Sequence, residues 1–265
     1  MDRDMKFNWR EAYASFVNLD SRPDRLAHIT TELDRVGLSA VRTRGMLPEE
    51  YNGDPKKIQV MFKRTKGAIG CHYSQVKVMS DALAAGKDAF VMEDDLVFCT
   101  DIKERLDHIQ EFLNGREWDV FFLGGTVHVN PSWWHKHGHS SDLPMCECTL
   151  GRDAECTEDP NILRTYGAFS THAYIVNKNS IKKILDYFDA NVHLSMGIDW
   201  LFIKMQPSIN AFCFVPGCVK QIDNMSNIGN GMTIFSAFSK LGQHWWADNM
   251  NEFDPGQYNW NEAKI

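Results

Sequence analysis

The sequence predicts an α/β fold with a mainly parallel central sheet flanked by helices, and three observations carry that prediction. Short apolar runs alternate with helical patterns along the first half of the chain. The runs are rich in β-branched and aromatic residues, and turn or capping residues bound them.

"YASFVNL" is the first predicted strand. It runs into "DSRPDRLAHITTELDRVG", where Ser21 suits a cap and Pro23 a first-turn position. Leu26, Ile29, Leu33 and Val36 then share one helical face, and Gly37 is a natural stop. "TKGAIGCHYSQVKVMSDALAAG" is a second helix, with Ile69, Val76, Met79 and Leu83 inward and Gly86 at its end. "DAFVME" is a strand, "DIKERLDHIQEFLNG" a helix from Asp101 to Gly115, and "WDVFFLGG" a further strand. Residues 126–160 show no period and form an insertion loop. Order resumes with the strand "HAYIV", a helix "SIKKILDYF" capped by Asn179 or Ser180, a short helix "GIDWLFIKM" and a strand "INAFCFVP". The aromatic-rich tail packs back onto the body. Phe235, Phe238, Trp245 and Trp246 give it apolar reach for a peripheral membrane contact, but few basic residues accompany them.

At 265 residues the chain fits one large domain or two small ones. The expectation is a single domain with a first half at 10–125, the loop at 126–160, and a second half with the tail at 161–265. A net charge of −7 disfavours nucleic acid as a partner, although "PKKIQVMFKRTKG" is locally basic. No stretch is apolar for the length of a membrane span, and the N-terminus lacks the apolar core of a signal peptide. Seven cysteines is an odd count, and Cys71, Cys99 and Cys213 sit in apolar runs. Reduced thiols and a cytoplasmic location follow as expectations.

The sharpest feature is "AFVMEDDLVF", in which an apolar run ends in Glu93, Asp94 and Asp95 and then turns apolar again. Adjacent carboxylates repel and resist burial, so something must compensate them. In an open parallel sheet, ligands gather outside the carboxyl ends of the strands, where these acids arrive. Clustered oxygen donors there suit Mg²⁺ or Mn²⁺, which bind through one or two carboxylates plus substrate phosphates. The plainer alternative is a helix cap or a solvated turn. Alternation along an extended chain places Glu93 and Asp95 on one face and Asp94 on the other.

Four blocks, in order, carry a family resemblance: "FVNLDSRPDR", "GAIGCHYSQVKVM", "FVMEDDLVF" and "GAFSTHAYIVNKNSIKKIL", with a weaker fifth in "VKQIDNMSNIG". Together they resemble glycosyltransferase family 25, of the lipopolysaccharide-biosynthesis and procollagen-galactosyltransferase type. The resemblance implies a GT-A-type (Rossmann-like) fold, a nucleotide-sugar donor such as a UDP-sugar, a divalent cation, and an inverting transfer of galactose or glucose to a glycan or protein hydroxyl.

Residue roles follow from resemblance and chemistry together. Asn18 and Leu19 end the first strand and face the nucleotide base and ribose. Arg22 and Arg25 lie near the helix start, where guanidinium forks suit pyrophosphate oxygens; a surface pair with Asp24 is the alternative for Arg25. Gly70, with Gly67, permits close approach of a ligand or of another element, and Ser74 and Lys77 lie one turn apart within reach of ribose or phosphate. Asp95 is the direct metal ligand with Asp94 next, Asp223 is a late candidate, and Glu93 contacts the donor ribose or a basic neighbour. Asp199 is the candidate catalytic base, beside Trp200 in otherwise apolar sequence, or else an acid at a helix N-terminus. His172 is the second candidate base, or a structural residue.

Three rival readings remain. A zinc site could draw on His135, His137, His139, Cys146, Cys148 and Cys156, although that spacing is unusual. A non-catalytic carbohydrate- or nucleotide-binding module could keep the fold, and a phosphate-ester hydrolase could use the same metal. Trp133 and Trp134, in the loop, are candidates for stacking on sugar.

Overall fold

The computed structural model describes residues 6–64, 66–124, 155–159, 161–168, 171–195, 197–214 and 217–221. The chain enters at β1 (Tyr13–Asn18), crosses through α1 (Pro23–Val36) to β2 (Val41–Arg44), and returns through α2 (Gln59–Arg64) and α3 (Lys66–Ala84) to β3 (Ala89–Glu93). A turn leads into β4 (Leu96–Phe98), then α4 (Ile102–Leu113) and β5 (Val120–Phe122). The later elements are β6 (Glu155–Cys156), β7 (Ile162–Arg164), β8 (Ala173–Val176), α5 (Lys178–Asn191), α6 (Ile198–Met205), β9 (Ala211–Phe214) and β10 (Val219–Gln221).

Eight strands form one sheet in the order β2-β1-β3-β8-β5-β9-β7-β6. β1 pairs in parallel with β2 and with β3, and β5 in parallel with β9. β8 runs against both β3 and β5, and β7 against both β9 and β6. Every strand but β8 and β7 therefore points the same way, and the sheet is mixed but mainly parallel.

The strands are apolar on both faces because both faces are covered. Phe90, Met92, Phe121 and Ile175 pack beneath α1 and α4, against Ile29, Leu33, Leu106 and Ile109. Their alternates Val91, Val120, Phe122 and Tyr174 pack beneath α3, α5 and α6, against Val78, Met79, Ile184 and Phe202. The first crossover thus uses one face and the second uses the other. That reversal makes the carboxyl edge of β1 and β3 a topological switch point, where sheets of this class leave a crevice.

Most expected elements are present, with shifts at the caps. Arg22, not Ser21, stands at the N-cap of α1, and Pro23 opens the helix; Gly37 closes it in the left-handed region at φ 62°. Asn177, not Asn179 or Ser180, caps α5, its side chain accepting the Asn179 N–H. Leu83, in the last turn of α3, is exposed rather than inward. β2, β4, β10 and the hairpin β6–β7 are short elements that the apolar patterning did not mark. Among the described residues no helix is long and apolar enough to cross a membrane.

Candidate functional site

A cavity of ≈460 Å³ opens at this switch point, within the range of small-molecule pockets (roughly 300–1,000 Å³). Leu19 and Ser21 after β1, residues 45–48 after β2, the first turns of α3, the acids 93–95, and Asp199 line it.

"AFVMEDDLVF" is two strands joined by an acidic turn. β3 ends at Glu93, the chain turns at Asp94 and Asp95, and β4 leaves the main sheet to pair antiparallel with β10. The return to apolar residues is explained by Leu96 and Phe98, which are buried in the α1/α4 core. The turn also breaks the alternation expected of an extended chain: Glu93, Asp94 and Asp95 all line the same cavity.

Arg25 is what compensates the aspartates. Its Nη1 lies 3.0 Å from Asp94 Oδ1 and 3.1 Å from Asp95 Oδ2, and the three side chains are only about a tenth exposed. The surface alternative for Arg25 is not what forms, because Asp24 is taken by Arg22, which grips it with Nε and Nη2. Asn18 Nδ2 donates to Asp94 Oδ2 at 2.7 Å, while Arg42 Nε donates to Asn18 Oδ1. Asn18 is therefore buried behind the acids as an anchor, and of the two strand-end residues only Leu19 reaches the cavity. Burial raises the Asp94 carboxyl above its ordinary range, with Asn18 and Arg25 pulling it back.

Glu93 is held separately. Gln75 Nε2 donates to Oε1 at 3.0 Å and Gln221 Nε2 to Oε2 at 2.9 Å, and the Cys71 thiol lies 3.6 Å from Oε1. Gln75 is fixed in turn by the Tyr174 hydroxyl, which donates to its Oε1 at 2.8 Å. Burial, reinforced by Asp95, Asp199 and Asp94, drives the Glu93 carboxyl well above the usual carboxylate range. Burial likewise raises the Cys71 thiol, which marks a packed thiol rather than a nucleophile.

The remaining predicted residues divide. Asp199 sits in the first turn of α6 and lines the cavity, and its charge is felt at Glu93. His172 lines it too, just before β8, with Nε2 3.3 Å from the Val219 carbonyl. Burial holds the His172 imidazole at about 4, which makes it a weak proton acceptor near neutrality. Ser74 borders the cavity, but its hydroxyl donates to the Gly70 carbonyl at 2.6 Å and accepts from Met46 N–H at 2.8 Å, latching α3 to the loop after β2. Gly70 serves the same contact, since a Cβ there would meet the Met46 carbonyl oxygen at 2.3 Å. Lys77 pairs with Asp81 on the exposed side of α3, away from the cavity lining. Asp223, Trp133, Trp134 and the His135–Cys148 group lie outside the described residues.

Gln75, Gln221, Cys71 and Lys66 are cavity residues that the sequence reading missed. Gln75 did leave a signal, an uncharged polar residue one turn beyond Cys71 on the buried stripe of α3. Gln221 left none, because only the β4–β10 pairing brings it within reach.

The donor set fits a hard cation in one mode. Among the described residues no three His, Cys, Asp or Glu side chains converge as a closed shell. One or two carboxylates completed by ligand oxygens, the usual Mg²⁺ arrangement, is what the acidic turn can offer. Of the four aspartate oxygens, Asp95 Oδ1 has the longest contact, 3.3 Å to Gln221 Nε2, and is the least committed.

Two buried histidines give a testable pH dependence. His72 and His172 are 2% and 1% exposed, and burial lowers both imidazoles to about 4. Below about 6.5 the unfolded chain takes up protons that the folded chain refuses, so stability is full above that pH and falls as pH drops toward 4, by roughly 3 kcal/mol per histidine. Urea unfolding at pH 7.5, 6, 5 and 4.5 checks this. Subtracting the profile of His72→Gln isolates one histidine, because the carboxylates cancel, and wild type is expected to lose stability relative to the variant steadily as pH falls below 6.5.

The model of Glycosyltransferase family 25 (LPS biosynthesis protein) matches residues 14–201, a span that contains the acidic turn, Arg25 and Asp199. No curated protein matches the sequence. Among solved structures, the inositol-1-phosphate CTP transferase from T. maritima is 11% identical, with 86% of this chain and 75% of that chain covered and a TM-score of 0.36; at that score the likeness carries no argument.

Proposed function

The chain belongs to glycosyltransferase family 25, and from that premise we propose that it moves a hexose, galactose or glucose, from a UDP-sugar to a hydroxyl of a glycan or protein in the cytoplasm. The donor site is the cavity at the β1/β3 edge, in a GT-A-type arrangement, with Mg²⁺ or Mn²⁺ on Asp95 and Asp94. The observation that carries this reading is that one cavity at the switch point is lined both by hard carboxylate oxygens and by cationic side chains, Arg25 and Lys66.

Leu19, Met46 and Pro48 supply the apolar wall for a base and ribose. Lys66 and Gly67, both in α3, line the cavity, so a cation and a closely approachable stretch of backbone face anionic oxygens there. Arg25 is the second cation for the diphosphate. The metal, when bound, offsets the charge of the diphosphate and of the departing nucleotide. Gln75 and Gln221 hold Glu93 toward the sugar, and Asp199 takes the proton of the acceptor hydroxyl as it attacks the anomeric carbon from the opposite side, which inverts it.

A panel of nucleotide sugars, each with Mn²⁺ and with EDTA, tests this by melting temperature and by nucleotide release with and without acceptor. At a hundredfold excess over Kd, one donor is expected to stabilise by about 2.7 kcal/mol, or roughly 5–10 °C. The shift should vanish with EDTA. No shift with any nucleotide overturns the proposal. Binding without release marks a carbohydrate- or nucleotide-binding module, and release that needs no acceptor marks a hydrolase.

A further inference from the structure

We propose that Arg25 occupies the cation position of the acidic turn, and that it yields this position to a divalent ion only as its own charge moves onto a diphosphate. Metal and donor affinities are then coupled through one side chain. This rests on the donor-site reading above.

One nitrogen, Arg25 Nη1, bridges both aspartates at 3.0 and 3.1 Å. Asp94 cannot turn aside to free an oxygen, because its other oxygen is fixed by Asn18 at 2.7 Å. All three side chains are about a tenth exposed, so little water screens them. A divalent ion on these carboxylates would lie within a few ångströms of the guanidinium, and the two like charges cannot share the site.

The guanidinium therefore has to move, and its surroundings limit where it can go. Arg25 sits in the first turn of α1, where the helix dipole opposes a cation and the two acids offset that. It also lines the cavity, where diphosphate oxygens would meet its donor fork. Carboxylates exchange guanidinium for metal while phosphate accepts the guanidinium. By reciprocity, donor and metal raise each other's affinity by the same factor.

The test is Mn²⁺ binding to the nucleotide-free protein, read from the electron paramagnetic resonance signal of free Mn²⁺. Arg25→Gln is expected to bind Mn²⁺ at least tenfold more tightly than wild type, and Arg25→Lys, which keeps the charge, within about threefold of it. UDP should strengthen Mn²⁺ binding more in wild type than in Arg25→Gln. Equal or weaker Mn²⁺ binding by a folded Arg25→Gln protein, with binding still measurable, overturns the exchange and leaves the donor-site reading standing. Mn²⁺ binding by neither protein sinks both. Should Arg25→Gln not fold, the Nε–Hε resonance of Arg25 in wild type decides the matter during a Mg²⁺ titration in the presence of saturating UDP. It is expected to shift as Mg²⁺ saturates, and a resonance unchanged at saturation overturns the exchange.

Discussion

Replacing Asp95 with asparagine is expected to lower the rate of sugar transfer by roughly 10²–10³, the loss typical of removing one strong electrostatic contact to a developing charge. Asparagine keeps the shape of the side chain and removes only its charge. Arg25 keeps Asp94 as a partner at 3.0 Å, so the fold should survive. Two readings separate a chemical effect from a structural one. The melting temperature without ligand should stay close to wild type, and the Mn²⁺-dependent part of the donor-induced shift should disappear. An Asp95→Asn enzyme with near-normal turnover would show that the acidic turn is a structural ion-pair cluster and nothing more.

Asp199→Asn is expected to reduce turnover by roughly 10²–10⁴, the usual worth of a positioned general base, while the donor still stabilises the protein as in wild type. Asp199 stands in the first turn of α6 and lines the cavity beside Glu93. Single-turnover assays across pH supply the decisive measurement: the acidic limb of the wild-type profile should be lost in the variant. Asparagine at His172 should cost much less, since burial holds that imidazole at about 4, too low to accept a proton efficiently near neutrality. A drop below fivefold in Asp199→Asn would move the base to another residue.

How far the sequence could be read depends on the range of the interactions concerned. The stripe Ile29, Leu33 and Val36 with Gly37 at its end gives α1 almost residue by residue, because helix periodicity and an αL glycine are local signals. The apolar runs at 89–93 and 173–176 likewise give β3 and β8. What local patterning cannot give is direction, and β8 lies antiparallel between β3 and β5, where simple strand–helix alternation implies a parallel neighbour. The acids were legible as a site because three charges ending an apolar run demand a partner. The partner was not legible, since Arg25 reaches Asp94 across 69 positions. Nor was the fate of Asn18 and Ser74, whose polar groups are both taken up in holding the frame.

The place of β8 bears on how the protein comes to exist in the cell. The strand that completes the middle of the sheet comes from the later part of the chain, yet both of its partners come from the earlier part. A nascent polypeptide that has left the ribosome only as far as β5 has β3 and β5 with the place between them unfilled, each offering an unsatisfied edge to any other strand it meets. Assembly of the acid-lined crevice must therefore wait for residues 173–176 to thread inward. Until then the emerging chain carries strand edges that can mispair.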